Sequence, residues 1–336
     1  MVPKMHVEKA DVETFKSKLI KDGFAGSVHT DYANLLLNAT DNSIYELMPQ
    51  AVIQPKDAQD VLLLMRTANL PQFHHLCFAP RGGGTGTNGQ SLSDTIIIDF
   101  SRHMTHILDF NQEKATVTVE PGVILSDLNR FLQPHGLFFA PNISTADRAT
   151  IGGMIATDAA GKGSLIYGKT ANHLKKLKLV LADGAELDIE PLIEDKLNTA
   201  IASTTPLGNI TKQIVHLLSD VQDEINQRFP PLKRPLSGYN IKECYHDRVF
   251  DLTKLIAGSE GTLGLVVSAT LKLLPIPKHK VLIVVHYSSF IEALKDAETL
   301  IEYQPEAIEA VDEKVQKCAQ SLPNWPQLAQ LLNSVD

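Results

Sequence analysis

The stretch Arg81-Gly82-Gly83-Gly84-Thr85-Gly86-Thr87-Asn88-Gly89 contains five glycines in nine residues. Because glycine has no side chain, such a loop leaves a run of backbone N–H groups open to an anion. Residues 76–80 before the loop are typical of a short buried strand, and residues 95–100 after it are typical of a second strand. A glycine-rich loop between two strands predicts a phosphate site, and hence a nucleotide cofactor.

Other readings of this loop are disfavoured by its surroundings. Gly84-x-Gly86-x-x-Gly89 formally matches the dinucleotide fingerprint, which opens a helix inside a βαβ unit. Only six residues, 90–95, separate Gly89 from Ile96, whereas a crossover between parallel strands takes about a dozen or more. A Walker loop would need a following Gly-Lys-Ser/Thr, which is missing. A plain surface turn rarely needs three consecutive glycines, since each costs about 0.5–1 kcal/mol.

The composition is that of a folded globular chain. Of 336 residues, 43% are hydrophobic and 21% are charged, and the formal net charge is -8. Without a basic field, no nucleic-acid partner is expected. Cys77, Cys244 and Cys318 form no Cys-x-x-Cys pair, so no metal site is expected. We expect reduced cysteines in a cytoplasmic protein, with peripheral contact at the inner face of a membrane left open.

Hydrophobic spacing predicts two lobes of helices and strands. An N-terminal docking helix is predicted over 11–21, and the first lobe is expected to contain a strand–helix–strand unit over 52–55, 57–69 and 76–80. In the second lobe a helix is predicted over 124–132 and a helical stretch over 192–229, which Pro230-Pro231 ends. The predicted strands of the second lobe, with a hairpin turn at Asp183-Gly184, cover 116–120, 177–181, 186–189 and 266–273.

Two further segments share the chemistry of the glycine loop. Residues 141–168 hold five more glycines, so the two segments together contain half of the chain's 20. This crowding indicates main chain brought close to one long, flat ligand. A flexible linker is the alternative, but the interleaved Ile151, Met154 and Ile155 favour burial. The third segment is Gly258-Ser259-Glu260-Gly261-Thr262-Leu263-Gly264, which precedes an alternating strand.

Taken together, the three segments resemble the FAD-linked oxidases of the vanillyl-alcohol oxidase or PCMH type, in the D-lactate, glycolate and D-2-hydroxyglutarate dehydrogenase branch. Matching motifs follow in order, among them Thr40-Asp41-Asn42-Ser43-Ile44-Tyr45, Val119-Glu120-Pro121-Gly122-Val123, Thr150-Ile151-Gly152-Gly153 and Ala182-Asp183-Gly184. Ser101-Arg102-His103-Met104 is similar to the large bacterial D-2-hydroxyglutarate dehydrogenases that carry an iron–sulfur domain after the flavin domain.

The resemblance implies an α+β chain with a PCMH-type FAD-binding fold of two α/β lobes. The first lobe would have a small parallel sheet and the second a mainly antiparallel sheet. An N-terminal helical segment would cover 1–40, and the FAD-binding domain would cover 41–276, with lobes at about 41–105 and 106–276. Residues 277–336 would begin a truncated substrate or cap domain, so the chain is interpreted as the flavin part of a longer enzyme.

The resemblance also implies FAD as the cofactor and assigns residues to it. The pyrophosphate would be wrapped by Arg81, Gly82, Gly83, Gly84, Thr85, Gly86, Thr87 and Asn88. The ribityl chain and ring would be lined by Ser144, Thr145, Thr150, Gly152, Gly153, Thr157, Asp158, Ala160 and Gly161. The second lobe would add Glu260, Gly261, Thr262, Leu263, Gly264 and Val266. Some relatives attach the flavin to a histidine directly after the glycine triplet; Thr85 stands there in this chain, so we predict non-covalent FAD.

The implied reaction is oxidation of a D-2-hydroxy acid, D-2-hydroxyglutarate or D-lactate, to the 2-oxo acid by hydride transfer to flavin N5. Electrons would pass on to a quinone or other carrier. His74 and His75 are expected at the surface, and His103 and His173 have little claim on the flavin edge. In the resembled family, the catalytic base and the substrate-binding arginines lie in the cap domain and a C-terminal segment. Residues 308–315 resemble the start of that cap, and the chain ends at 334–336, before those residues would occur. The catalytic residues are therefore unknown here.

Two other functions stay open from the sequence. The chain is interpreted alternatively as an FAD-binding module without turnover on its own. It is also compatible with a flavin oxidase of another alcohol substrate, such as an alditol, with dioxygen as acceptor. Peroxide formation during aerobic turnover would distinguish the oxidase.

Overall fold

The computed structural model describes residues 8–230, 232, 238–246 and 248–332. The predicted helix end at Pro231 and the chain end at 334–336 lie outside these residues. Internal contacts divide the chain into a large unit, residues 1–161 and 169–276, and a small unit, residues 162–168 and 277–336.

The first lobe of the large unit is a four-stranded sheet covered by helices. Its strands run in the order β1-β2-β4-β3, with β2, β4 and β3 parallel and β1 antiparallel to β2. The small parallel sheet predicted for this lobe is therefore confirmed. The elements are β1 (Ser27–His29), β2 (Ala51–Gln54), β3 (Phe78–Arg81), β4 (Ile96–Asp99), α1 (Lys9–Lys21), α2 (Tyr32–Leu37) and α3 (Ala58–Ala68).

Sequence patterns explain how these elements hold the first segment in place. Ile96, Ile97 and Ile98 of β4 are all fully buried, as in a central strand that is covered on both faces. Helix α1 buries Phe15, whose ring meets Phe73 edge to face with the ring centroids 5.1 Å apart. The core formed by these side chains fixes β3, and β3 delivers the chain to the glycine loop at its carboxyl end.

The connection between β3 and β4 departs from the sequence interpretation in one respect. The predicted strand–helix–strand unit is present as β2, α3 and β3, and its two parallel strands are separated in the sheet by β4. The two strands that flank the glycine loop are parallel neighbours, and residues 82–95 themselves make the crossover without a helix. The six residues after Gly89 are too few for such a crossover, but residues 82–95 together are fourteen, which is enough.

The second lobe is built on a five-stranded antiparallel sheet in the order β5-β6-β13-β8-β9, as predicted for this lobe. Strand β13 alternates strictly, with Leu265, Val267, Ala269 and Leu271 buried on the core face. The sheet strands are β5 (Ile107–Asn111), β6 (Thr116–Val119), β8 (Leu174–Val180), β9 (Glu186–Ile189) and β13 (Leu265–Lys272).

Shorter pieces complete the large unit. The predicted helical stretch over 192–229 is divided into a short strand and three helices, because Thr205 caps a new helix that has Pro206 in its first turn. The strands are β7 (Leu137–Phe138), β10 (Leu192–Ile193), β11 (Tyr245–His246), β12 (Val249–Phe250) and β14 (Leu274–Pro275). The helices are α4 (Leu125–Leu132), α5 (Ile151–Ala156), α7 (Glu194–Ala202), α8 (Pro206–Asp220), α9 (Gln222–Arg228), α10 (Ile241–Cys244) and α11 (Leu252–Ile256).

The small unit is helical where it has regular structure. Its helices are α6 (Ser164–Tyr167), α12 (Phe290–Glu302), α13 (Glu313–Ala319) and α14 (Trp325–Leu332). Val281, Leu282 and Ile283 are 73–86% exposed although their type favours a buried strand. Across both units, the part of the chain that the structure describes has no helix long and apolar enough to cross a membrane.

Candidate functional site

The three glycine-containing segments meet at one cavity of about 320 Å³ in the large unit. The loop after β3 forms one wall, the turn and helix around α5 form the second, and the loop before β13 forms the third. The structure therefore brings together three segments that are far apart in sequence, at residues 81–89, 141–168 and 258–264. The predicted residues that line the cavity are Arg81, Gly82, Gly83, Gly84, Thr85, Gly86, Thr87, Thr145, Thr150, Gly152, Gly153, Thr157, Glu260, Gly261, Gly264 and Val266.

The remaining predicted residues lie near the cavity without lining it. Asn88 and Ser144 are exposed at its margin, and Thr262 turns its hydroxyl to the carbonyl oxygen of Ser259 at 2.6 Å. Asp158 is buried behind the α5 wall. A contact between the cofactor and any of these residues stays a prediction; the full set is Asn88, Ser144, Asp158, Ala160, Gly161, Thr262 and Leu263.

Several lining residues were missed by the sequence analysis. Gln90 and Ser91 directly follow the glycine loop, and their polar side chains were a usable signal. Most of the others are apolar residues, which sequence alone cannot distinguish from ordinary core positions. The missed residues are Pro80, Gln90, Ser91, Phe100, Pro121, Ile143, Met154, Ile155, Ala156, Ala159, Ile256 and Ser259.

The first wall offers unsatisfied donors. Within the described residues, the backbone N–H groups of residues 82–87 donate to no other protein group, whereas the Asn88 N–H donates to Gln90 Oε1 at 3.1 Å. Consecutive free N–H groups on a cavity wall are the donor set that suits a phosphate or pyrophosphate. The residues present therefore fit an anionic group at this wall.

Glycine is required in this wall by the packing of the segments on one another. A Cβ atom at Gly82 would lie 2.1 Å from Thr150 Oγ1, and one at Gly83 would lie 2.1 Å from the carbonyl oxygen of Arg148. At Gly261, with φ +82°, it would lie 2.2 Å from Pro80 Cγ. The sequence analysis attributed the glycines to close approach of a ligand. The structure shows that the glycines also let the three segments touch.

The second wall presents small side chains on a short helix. Thr150 precedes α5, and its hydroxyl oxygen accepts a hydrogen bond from the Gly153 N–H at 3.3 Å. A Cβ atom at Gly152 would lie 2.6 Å from Pro121 Cβ, so the helix packs tightly against the turn that follows β6. Gly152, Gly153 and Ala156 of this helix line the cavity, and their small or absent side chains leave main chain open to a ligand there. Such a surface can receive a planar ring.

The third wall is joined to the end of the second by main-chain hydrogen bonds. The Gly258 N–H donates to the Ile155 carbonyl at 3.0 Å, and the Glu260 N–H donates to the Ala156 carbonyl at 2.9 Å. Glu260 has φ +52°, a conformation that costs a non-glycine residue about 1 kcal/mol or more. The strain is local to a residue that lines the cavity.

Positive charge at the cavity comes from Arg81. Burial lowers the pKa of its guanidinium, and the nearby Asp99 and Asp41 carboxylates oppose this, so the group stays cationic. Burial acts to raise the pKa of Asp41, but hydrogen bonds from Ser43 and Ser91 outweigh it and hold that pKa below its usual value. A fixed cation therefore lies beside the free N–H groups, which favours an anionic ligand.

The four histidines considered in the sequence analysis, His74, His75, His103 and His173, do not line the cavity. His74 is exposed, His75 lies 3.1 Å from Asp11, and His103 is half-buried. His173 is buried, with its ring centroid 5.8 Å from that of Phe139. Among the described residues, the ionisable side chains that line the cavity are those of Arg81 and Glu260.

Comparisons with known proteins agree with this geometry. A family model described as the FAD binding domain matches residues 49–190. D-2-hydroxyglutarate dehydrogenase from Pantoea ananatis is 43% identical over 326 residues, which are 96% of this chain and 32% of that protein. The enzyme of the same name from Escherichia coli K12 gives the same identity and coverage. The chain thus spans about a third of the length of these curated relatives.

A solved structure of alkyldihydroxyacetonephosphate synthase has a similar fold. Its TM-score is 0.65 at 17% sequence identity, and the match covers 100% of this chain and 55% of that one. At this identity the likeness concerns the fold alone.

Proposed function

We propose that this chain is the flavin-binding part of a D-2-hydroxyglutarate dehydrogenase, because a model of the FAD binding domain matches residues 49–190 and two enzymes of that name are 43% identical over 96% of this chain. FAD is its cofactor, and we place it without a covalent bond in the cavity of the large unit. The observation that carries this placement is the run of free backbone N–H groups at residues 82–87 beside the Arg81 cation. The share of sequence identity with two named dehydrogenases supports the choice of substrate class.

Each wall of the cavity is assigned a part in holding the cofactor. The N–H groups of residues 82–87 and the Arg81 charge would hold the pyrophosphate. The main chain left open at Gly152 and Gly153 would receive the ring, and the loop at Glu260 would close the third side. Bound flavin supplies a hydride acceptor for the oxidation of an alcohol carbon. The residues of this chain would bind it, orient it and exclude water from one of its faces.

Non-covalent attachment is supported by the residues at the cavity. Thr85 directly follows the glycine triplet, and the described residues that line the cavity include neither histidine nor cysteine. A threonine hydroxyl is a poor nucleophile compared with imidazole or a thiolate. We therefore expect acid precipitation to release the flavin intact.

The experiment that tests the proposal is an anaerobic titration of the purified, FAD-loaded chain. D-2-hydroxyglutarate and D-lactate are added in turn while the visible flavin absorbance is recorded. Bleaching by D-2-hydroxyglutarate supports the substrate assignment and shows that the half-reaction needs nothing beyond this chain. Bleaching by D-lactate alone would redirect the proposal to the neighbouring substrate. No bound flavin after reconstitution would contradict the proposal.

An FAD-binding module without turnover is the second candidate. It is favoured by the cavity lining, because among the described residues the ionisable side chains there are limited to those of Arg81 and Glu260, with no histidine to act as the base. Bound flavin that neither acid bleaches would support this candidate.

The electron acceptor is proposed to be a quinone or another carrier. Reoxidation of the reduced protein by an added water-soluble quinone would test this. Rapid peroxide formation in air would instead favour an oxidase.

A further inference from the structure

The glycine loop is held from outside by the segment that precedes β2. We call residues 38–45 the bracing segment. Arg81 Nη2 donates to the Thr40 carbonyl oxygen at 2.7 Å, and the Asn42 N–H donates to the Gly84 carbonyl oxygen at 3.1 Å. At the far end of the loop, Ser91 Oγ donates to Asp41 Oδ2 at 3.0 Å. The bracing segment therefore contacts the loop at its start, in its middle and after its end.

The Arg81 side chain lies close beneath the loop that it begins. Its Nη2 atom lies 2.5 Å from the position that a Cβ atom at Gly84 would occupy, and Gly84 has φ +60°. A side chain at position 84 would therefore displace the guanidinium as well as strain the backbone. The Arg81 guanidinium links the loop to the bracing segment as well as lining the cavity.

Asp41 lies at the centre of these contacts but does not line the cavity. Its carboxylate accepts hydrogen bonds from the Ser43 N–H at 2.8 Å and from the Ser91 hydroxyl, and the Arg81 cation lies nearby. The side chain is half-buried. A group that faces both ends of the loop is placed to fix the conformation of the N–H groups between them.

We propose that Asp41 is a positioning residue that holds residues 82–87 in the conformation that binds the FAD pyrophosphate; the inference rests on the function proposed above. If Asp41 acted only through its charge, its removal would change the affinity for FAD in the opposite direction. A carboxylate close to an anion site repels the anion through space, so removing its charge alone would strengthen FAD binding. If Asp41 acts by positioning, removing its charge weakens FAD binding.

The test compares Asp41→Asn with Asp31→Asn in the apo chain. Both changes replace a carboxylate by an amide, and within the described residues Asp31 caps α2 through the Asn34 N–H at 3.2 Å and makes no hydrogen bond to the glycine loop. Titration with FAD is followed by calorimetry. Loss of a charge-assisted hydrogen bond predicts a Kd about tenfold higher for Asp41→Asn. Asp31→Asn is expected to stay within about twofold of the parent chain.

Two further readouts separate positioning from general damage. ADP carries the pyrophosphate without the flavin, so its Kd should rise by the same factor as that of FAD in Asp41→Asn. The thermal midpoint of apo Asp41→Asn should match that of apo Asp31→Asn. Ser91→Ala removes the same contact from the loop side and should weaken FAD and ADP in parallel, which keeps the test decisive if Asp41→Asn folds poorly.

Three results would overturn the inference. An FAD affinity that is unchanged or tighter in Asp41→Asn would leave only the through-space effect. A loss for FAD without a loss for ADP would move the effect away from the pyrophosphate. A fall in the apo midpoint in proportion to the loss of affinity would make Asp41 a general structural residue. A parent chain that binds no FAD would instead contradict the proposed function, and this inference with it.

Discussion

Lys169 and Asp158 form an ion pair in which Nζ lies 2.6 Å from Oδ2 and the two side chains are 3% and 0% exposed. Asp158 also accepts a hydrogen bond from the Ala171 N–H at 2.9 Å and has φ +46°. It stands directly after Thr157, so the pair anchors the back of the cavity wall formed by α5. A buried charge of this kind is tolerated because its partner is present.

Removal of Lys169 is therefore expected to be costly. Lys169→Met leaves the Asp158 carboxylate buried without its cation and should lower the free energy of unfolding by about 3–5 kcal/mol. The matched control is Lys176→Met, which breaks an ion pair with Asp188 whose side chains are about half exposed. This control should cost less than about 1 kcal/mol. Urea denaturation of both variants measures the difference. Equal losses in the free energy of unfolding would show that the buried ion pair stabilises the chain no more than the exposed one.

The two glycines Gly83 and Gly86 should respond differently to alanine. A Cβ atom at Gly83 would meet the rigid backbone oxygen of Arg148 at 2.1 Å, whereas one at Gly86 would meet the end of the flexible Gln90 side chain at 2.7 Å. Gly83→Ala should lower stability by about 1–3 kcal/mol and raise the Kd for FAD by at least about tenfold. Gly86→Ala should have a smaller effect on both quantities, because Gln90 can move. A larger effect of Gly86→Ala on stability would contradict the packing argument.

Relief of the strain at Glu260 should stabilise the chain. Glycine adopts φ +52° without the steric cost of a side chain, while it adds entropy to the unfolded state. The net gain for Glu260→Gly is expected to be about 0.5–1 kcal/mol in thermal unfolding of the apo chain. The control is Glu113→Gly, because Glu113 is exposed and does not have a positive φ; this variant should lose about the same amount of stability. A loss of stability in Glu260→Gly would show that its carboxylate makes a stabilising contact.

The three cysteines should differ in reactivity. Burial raises the pKa of the Cys244 thiol to about 12, so almost no thiolate forms near pH 8, whereas Cys77 and Cys318 are exposed. Iodoacetamide at pH 8 should label Cys77 and Cys318 in the native chain and leave Cys244 unlabelled. Peptide mass spectrometry with and without urea checks this, since all three should react once the chain is unfolded. Native labelling of Cys244 would mean that its site opens readily.

Local patterns were sufficient to predict much of the fold and part of the site. The apolar run of Ile96, Ile97 and Ile98 and the alternation from Leu265 to Leu271 predicted their strands, and the glycine clusters predicted which segments line the cavity. The insertion of β4 between β2 and β3 could not be predicted, because sheet order depends on long-range pairing. The contacts of Asp41 with Ser91 and of Asp158 with Lys169 were missed for the same reason.

The central claim is that the cavity of this chain binds FAD without a covalent bond. The most direct measurement is a calorimetric titration of the apo chain with FAD, followed by acid precipitation of the complex. The account predicts saturable binding, a visible flavin spectrum in the protein fraction and release of intact FAD into the acid supernatant. Absence of binding would contradict the assignment of the cavity, and flavin retained in the precipitate would contradict the role given to Thr85.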